Sequence, residues 1–137
     1  MSQDPAAAFF DAYTADFERY DADAVAAHFS FPLLVTGDAD PVDVRSVANK
    51  EEWMETLTML LDLYRGFGVS TAVVLDSSTT SISDRVHQAT VHWSLRDGSD
   101  QEIYDFHGTY TLIERDGRLR ITAIAHDELG KILSKLG

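Results

Sequence analysis

The sequence predicts an α+β domain in which a long antiparallel sheet curves around helices. Three observations carry that prediction. Before Gly68 the dominant apolar spacing is helical, and from Gly68 onward polar and apolar residues alternate. Asp84-Arg85, Asp97-Gly98-Ser99-Asp100 and Asp116-Gly117 are turn signals that cut this second half into four long strands. Helices first and a meander last is the order expected when helices cover one face of a sheet. No repeat, linker or composition shift divides the chain, so residues 1–137 read as one domain, long enough to bury a core without disulfides.

Residues 5–20 predict the first helix. Pro5 suits a first turn, with Asp4 or Ser2 as its cap, and Phe9, Phe10, Tyr13, Phe17 and Tyr20 recur on one aromatic face. A short second helix starts near Asp21 or Asp23, has Val25, Ala26 and Phe29 as its apolar side, and is stopped by Phe31-Pro32. Residues 33–36 and 43–47 predict two short strands around the turn Gly37-Asp38-Ala39-Asp40-Pro41. Residues 49–65 predict the strongest helix. Asn49 caps it with Glu52 three residues on, Trp53, Leu57, Leu60, Leu61 and Tyr64 form its stripe, and Gly66 ends it. The strands of the meander are 69–83, 86–96, 102–114 and 118–126, and 130–136 forms a short terminal helix or frays.

Composition bounds the function. With 23 acidic against 11 basic residues and a net charge of −12, the surface repels phosphate backbones and anionic membranes, so neither nucleic acid nor membrane is an expected partner. No apolar run approaches the ~18 residues of a membrane span. Residues 1–5 lack the basic and apolar regions of a signal peptide, and there is no cysteine, so a cytoplasmic location is the expectation. No thiol nucleophile or cysteine zinc site exists. Phosphate-cradling, dinucleotide-binding, serine-hydrolase and H-E-x-x-H motifs are also missing, so no cofactor and no metal are expected.

The turns set a provisional register. A two-residue loop at 116–117 pairs Leu112 with Ile121 and Tyr110 with Ala123. A four-residue loop at 97–100 pairs Trp93 with Tyr104 and Val91 with Phe106. One face then carries Val91, Trp93, Leu95, Tyr104, Phe106, Gly108, Tyr110, Leu112, Leu119, Ile121 and Ala123, and must cover the helices. The other carries Thr90, His92, Ser94, Asp105, His107, Thr109, Arg120, Thr122 and His126. Gly108, between Phe106 and Tyr110, reads as a bulge that bends its strand.

The order helix, helix, short hairpin, capped helix, long meander resembles the nuclear transport factor 2-like (SnoaL-like) superfamily. So does the run Asp21-Ala22-Asp23-Ala24-Val25-Ala26-Ala27-His28-Phe29, which is similar to that group's second-helix pattern. The resemblance implies a cone-shaped, cystatin-like sheet packed on three helices around an apolar pocket, and a homodimer. In the ketosteroid isomerase branch an aspartate base works beneath a tyrosine and a protonated aspartic acid. Tyr13, eight residues before Asp21, matches the tyrosine. The base falls near Gly37 and Asp38, and the protonated acid falls near Gly108, which has no acid. The resemblance therefore does not imply ketosteroid isomerase activity.

Two candidate regions follow. Tyr13 and Asp38 are the candidate catalytic pair, and Tyr13, Phe17, Phe29, Trp53, Leu57, Tyr64, Trp93, Phe106 and Tyr110 are the candidate pocket lining. A phenol donor and a carboxylate facing an apolar space suit proton transfer on a carbonyl compound. His92, Asp105, His107 and His126 form a polar outer cluster, with His92 opposite Asp105 and His107 opposite His126; it is read as a homodimer face, against acid–base or zinc chemistry. Asp127-Glu128 reads as a solvated pair. The expected function is binding of a small apolar molecule. The alternatives are a cofactor-independent isomerase, cyclase, dehydratase or hydrolase, and an assembly module without ligand.

Overall fold

The computed structural model describes residues 4–137. In chain order they form α1 (Pro5–Glu18), α2 (Ala22–Ala26), β1 (Phe29–Gly37), β2 (Asp43–Val47), α3 (Lys50–Phe67), β3 (Thr71–Ser81), β4 (Val86–Arg96), β5 (Glu102–Arg115), β6 (Arg118–His126) and α4 (Glu128–Leu136). There are four helices where the resemblance implied three, because the terminal segment is an ordered helix that starts two residues before its predicted range. The six strands lie in the order β2-β1-β6-β5-β4-β3. The sheet is antiparallel except where β1 runs parallel to β6, a pairing that closes the N-terminal hairpin onto the meander. Among the described residues, no helix is long and apolar enough to cross a membrane.

Capping places the helices. Asp4 accepts from Ala6 N at 2.9 Å and Asp21 from Ala24 N at 3.1 Å, so each aspartate holds a free amide of a first turn; the alternative cap Ser2 lies outside the described residues. Asn49 accepts from Glu52 N at 3.0 Å, while the Glu52 carboxylate reaches back to Ala48 N at 3.2 Å. That box is a residue wider than the usual one. Gly66 does not end α3. The helix runs through it to Phe67, and Gly68 takes the left-handed cap at φ 83, because the chain needs its left-handed residue one position past the last turn. α2 ends at Ala26, and Phe29 already belongs to β1. Pro32 therefore stops no helix. It sits where β1 and β6 lose register between Phe29 and Leu34, a gap that suits a residue without an N–H.

The meander's faces follow the alternation, with the register corrected at three single-residue bulges. Trp93 pairs with Phe106 and Val91 with Gly108, two residues from the expected register, because Ile103 is extra in β5. The loop is also five residues long: Asp97 accepts from Ser99 N and Gln101 N. A shift of two leaves the faces unchanged. In β6, Leu112 does pair with Ile121, but Thr122 is extra, so Tyr110 meets Ile124. A shift of one swaps faces, turning Ile124 and His126 inward. Leu75 is the third extra residue, in β3.

Gly108 is not a bulge; its pairing to Val91 and His126 is regular. It makes room instead: a Cβ there would lie 2.8 Å from the Tyr110 hydroxyl, whose ring folds back over it. That hydroxyl is fixed, accepting from Trp93 Nε1 at 2.9 Å. Gly108→Ala is expected to lower stability by roughly 1–3 kcal/mol, as overpacked cores do. A urea unfolding midpoint equal to wild type would show that Tyr110 moves freely.

Candidate functional site

Between the inner sheet face and helices α1 and α3 lies a cavity of about 100 Å³. Tyr13 and Phe17 come from successive turns of α1, and Trp53, Leu57 and Tyr64 from the buried stripe of α3. Trp93, Phe106 and Tyr110 rise from β4 and β5. Eight of the nine residues expected on the pocket wall are there. Phe29 is not: it is buried behind the wall, with its ring centroid 5.1 Å from that of Trp53 and 6.0 Å from that of Tyr13. Glu18, Tyr20, Val69 and Ala72 form the edge between α1 and β3. Glu18 accepts there from Ala72 N at 3.0 Å, and the Tyr20 hydroxyl donates to the Val69 carbonyl.

Asp38 does not reach this space. Its backbone amide is bound to the His126 carbonyl at 2.9 Å and its side chain is exposed, so it is a turn residue outside the cavity. The inward carboxyl is Glu128, which the sequence reading left in solvent. It is 7% exposed and lines the cavity. The Tyr64 hydroxyl donates to its Oε2, and Tyr104 donates to the same oxygen at 2.9 Å. Among the described residues, none bonds to Oε1. Burial pushes the Glu128 carboxyl up to about 7, against the two tyrosine hydrogen bonds that lower it; nearby Asp127 raises it further. Near neutral pH this group is both an available base and an available acid.

The junction of β6 and α4 explains this orientation. Asp127 makes no cap bond of its own and instead accepts from His107 N at 2.7 Å and meets His107 Nδ1 at 3.3 Å, which ties it to β5. The next residue is then turned into the open end of the cone. The Glu128 amide donates to His126 Nδ1 at 3.1 Å, so a neutral His126 ring carries its proton on Nε2. Burial holds His126 below the ordinary histidine range, partly opposed by Asp127 and Asp43. The sequence alone does not mark Glu128 as buried. Glu128 lies four residues before Ile132, and these two are the buried positions of α4.

Tyr13 is buried, and its hydroxyl makes no hydrogen bond to the described residues. Burial raises its pKa, with Tyr110 and Glu128 adding to the effect, so it remains a protonated donor. One end of the apolar cavity thus carries a titratable carboxyl, and its wall carries an unengaged phenol.

The expected outer cluster is divided. His92, Asp105 and His107 stand on the outer face, but the bulge at Thr122 moves His126 to the cavity side. His92 faces His107, not Asp105, and their rings stack at 4.0 Å. His92 Nε2 still meets Asp105 diagonally at 2.7 Å, and Lys131 of α4 joins at 3.3 Å. The His92 hydrogen bond, with Lys131, holds Asp105 below the usual carboxylate range. No group of three His, Asp or Glu residues arranged to hold a metal is found among the described residues.

The family model described as NTF2-like protein (DUF6841) matches residues 3–129. Among solved structures, a candidate ketosteroid isomerase from Shewanella frigidimarina NCIMB 400 superposes with a TM-score of 0.69 at 14% identity, covering 91% of this chain and 96% of that one. An NTF-2 like protein of unknown function from Shewanella oneidensis MR-1 gives 0.68 at 16% identity, with 88% and 93% covered. An NTF2-like protein with a cystatin-like fold from Novosphingobium aromaticivorans gives 0.68 at 10% identity, with 88% and 77% covered. At these identities the likeness is one of fold. Among curated proteins, none matches.

Proposed function

The chain belongs to the NTF2-like family DUF6841, and from that premise we propose that its cavity binds a small apolar carbonyl compound on which Glu128 moves a proton. One observation carries the reading: a buried carboxyl stands at the end of an aromatic-lined cavity with one oxygen anchored by Tyr64 and Tyr104 and the other open. Oε1 takes a proton from the carbon beside the carbonyl. The electron pair moves to the carbonyl oxygen, where the Tyr13 hydroxyl donates to the developing negative charge. If the proton held by Glu128 is first replaced by one from solvent, its return to the same carbon gives hydrogen exchange; transfer to a conjugated carbon gives an isomer. Asp38, exposed, has no part in this.

The cavity is somewhat smaller than the ~150 Å³ apolar void that takes up benzene. A six-membered ring therefore enters as the α1–β3 edge gives, where Glu18 and Tyr20 hold the strand. The test is proton–deuterium exchange at the α-carbon of cyclohexanone in D₂O, followed by NMR. Wild type is expected to accelerate exchange over buffer, Glu128→Gln to fall to background, and Tyr13→Phe to lose roughly 10²–10³-fold, the usual scale for one oxyanion donor. Exchange by Glu128→Gln at the wild-type rate would end the proposal.

A second reading has its own support. The two tyrosine bonds to Glu128 also anchor α4 across the end of the sheet, so burial of the carboxyl has a structural role without chemistry. On that reading cyclohexanone binds to wild type and is released with its α-protons unexchanged.

A further inference from the structure

α1 and α3 end at the same edge of the cavity and with the same backbone motif, but with different residues in it. In α3 the left-handed residue is Gly68, whose amide donates to the Arg65 carbonyl at 3.1 Å while the Val69 amide donates to the Tyr64 carbonyl at 2.9 Å. In α1 the left-handed residue is Tyr20, at φ 57. Its amide donates to the Phe17 carbonyl at 2.9 Å, and the Asp21 amide donates to the Asp16 carbonyl at 3.3 Å. This helix ending ordinarily takes glycine or asparagine there, because a Cβ is crowded in the left-handed region. Among the described residues, the other non-glycine residues with positive φ are Asp100 and Asp116, turn aspartates of the kind that tolerates it. Tyr20 is the bulky exception, and such a conformation persists only where its surroundings hold it.

The side chain holds it. The Tyr20 hydroxyl donates to the carbonyl of Val69, one residue past Gly68, and the Arg65 guanidinium lies over the ring at 4.6 Å from its centroid. The ring is half-buried and lines the cavity, whereas Arg65 is exposed. Glu18 and Ser70, which line the cavity at the same edge, are exposed as well. The Tyr20 ring therefore stands between the cavity and solvent. We propose that Tyr20 is the gate of the cavity: release of its hydroxyl from Val69 lets the ring swing outward and opens the path by which a small molecule enters and leaves. This rests on the reading of the cavity as a site that takes up such a molecule. The movement breaks one side-chain hydrogen bond and leaves the backbone bonds of both helix ends in place.

The protein's two tryptophans, Trp53 and Trp93, both line the cavity, so their fluorescence reports what enters it. The experiment measures their quenching by acrylamide, a small neutral molecule, and by iodide, whose charge and hydration bar it from an apolar space that Glu18 and Glu128 line. NMR line shapes then give the association and dissociation rates of cyclohexanone. Tyr20→Phe keeps the ring and loses the latch. Tyr20→Gly removes the gate and suits the left-handed backbone, so it keeps the turn. Tyr20→Phe is expected to raise acrylamide quenching and both cyclohexanone rates about 5-fold, the effect of one ordinary hydrogen bond on an opening equilibrium, with Kd unchanged. Tyr20→Gly is expected to raise acrylamide quenching further, and iodide quenching is expected to stay at its wild-type value in Tyr20→Phe. Acrylamide quenching equal to wild type in both variants overturns the inference. Iodide quenching that rises with that of acrylamide in Tyr20→Phe also overturns it, because the whole wall has then loosened. Cyclohexanone that binds with unchanged rates in the variants removes the gate and leaves the carbonyl reading standing. Cyclohexanone that does not bind to wild type, with acrylamide quenching raised in the variants as expected, removes the carbonyl reading and leaves the gate.

Discussion

Glu128→Gln is expected to gain stability relative to wild type as the pH rises from about 4.5 to about 7, by roughly 3 kcal/mol at the end of that range. Desolvation by burial raises this carboxyl from 4.5 to about 7, even though Tyr64 and Tyr104 donate to it. The sign follows from proton counting. Below about 4.5 the residue is protonated folded and unfolded, and it adds no pH dependence. Between the two values the folded state keeps a proton that the unfolded state has released, so stability falls with each step up in pH. Above about 7 both states are ionised and the loss is complete. Glutamine cannot ionise, and its amide oxygen still accepts from the tyrosines, so the variant escapes the loss. Melting curves of both proteins from pH 4 to pH 8 check this. The two Tm values should diverge by roughly 10 °C for a chain of this length. Curves that stay parallel across the range would mean that Glu128 ionises like a solvated residue.

Much of the fold was legible because its signals are local. Alternation from Gly68 onward, the Asp116-Gly117 hairpin and the Asn49 cap each depend on a few adjacent residues, and each is where the sequence places it. The outcome differed where one extra residue decides a face. Nothing in Arg118–His126 announces that Thr122 is unpaired, because Thr122, Ala123, Ile124 and Ala125 suit either side of a sheet. Yet that one residue takes His126 from the outer face to the cavity. The site was legible in its apolar part, since eight large side chains on the α1, α3, β4 and β5 stripes had to meet. Its titratable group was not. An acidic pair at a strand end ordinarily faces water. Only the long-range partners Tyr64 and Tyr104, from α3 and β5, make an inward Glu128 tolerable. Asp38 is the converse case, a carboxylate whose turn position was the better guide to its place than the base position the resemblance implied.

Removing those partners should move the Glu128 titration upward. Both tyrosine bonds favour the ionised carboxylate, so Tyr64→Phe and Tyr104→Phe each take away a charge-assisted donor while leaving the ring and its burial. A hydrogen bond to a charged group is worth ~1.5–3 kcal/mol, which is roughly one pH unit or more per hydroxyl. The carboxyl ¹³C resonance of Glu128, followed by NMR against pH, is therefore expected to show a midpoint above 7 in each single variant and higher again in the double variant. The same order should appear in the pH profile of α-proton exchange, with the acidic limb, which reports ionisation of the base, displaced to higher pH. The opposite displacement has a distinct meaning. If the tyrosines serve mainly to dock α4, their loss frees the helix, Glu128 meets water, and its midpoint falls toward 4.5. An upward shift with falling exchange at pH 7 supports a carboxyl held ready for proton transfer inside an apolar cavity. A downward shift with undocking of α4, read from amide exchange over residues 128–136, makes Glu128 the peg of a helix instead.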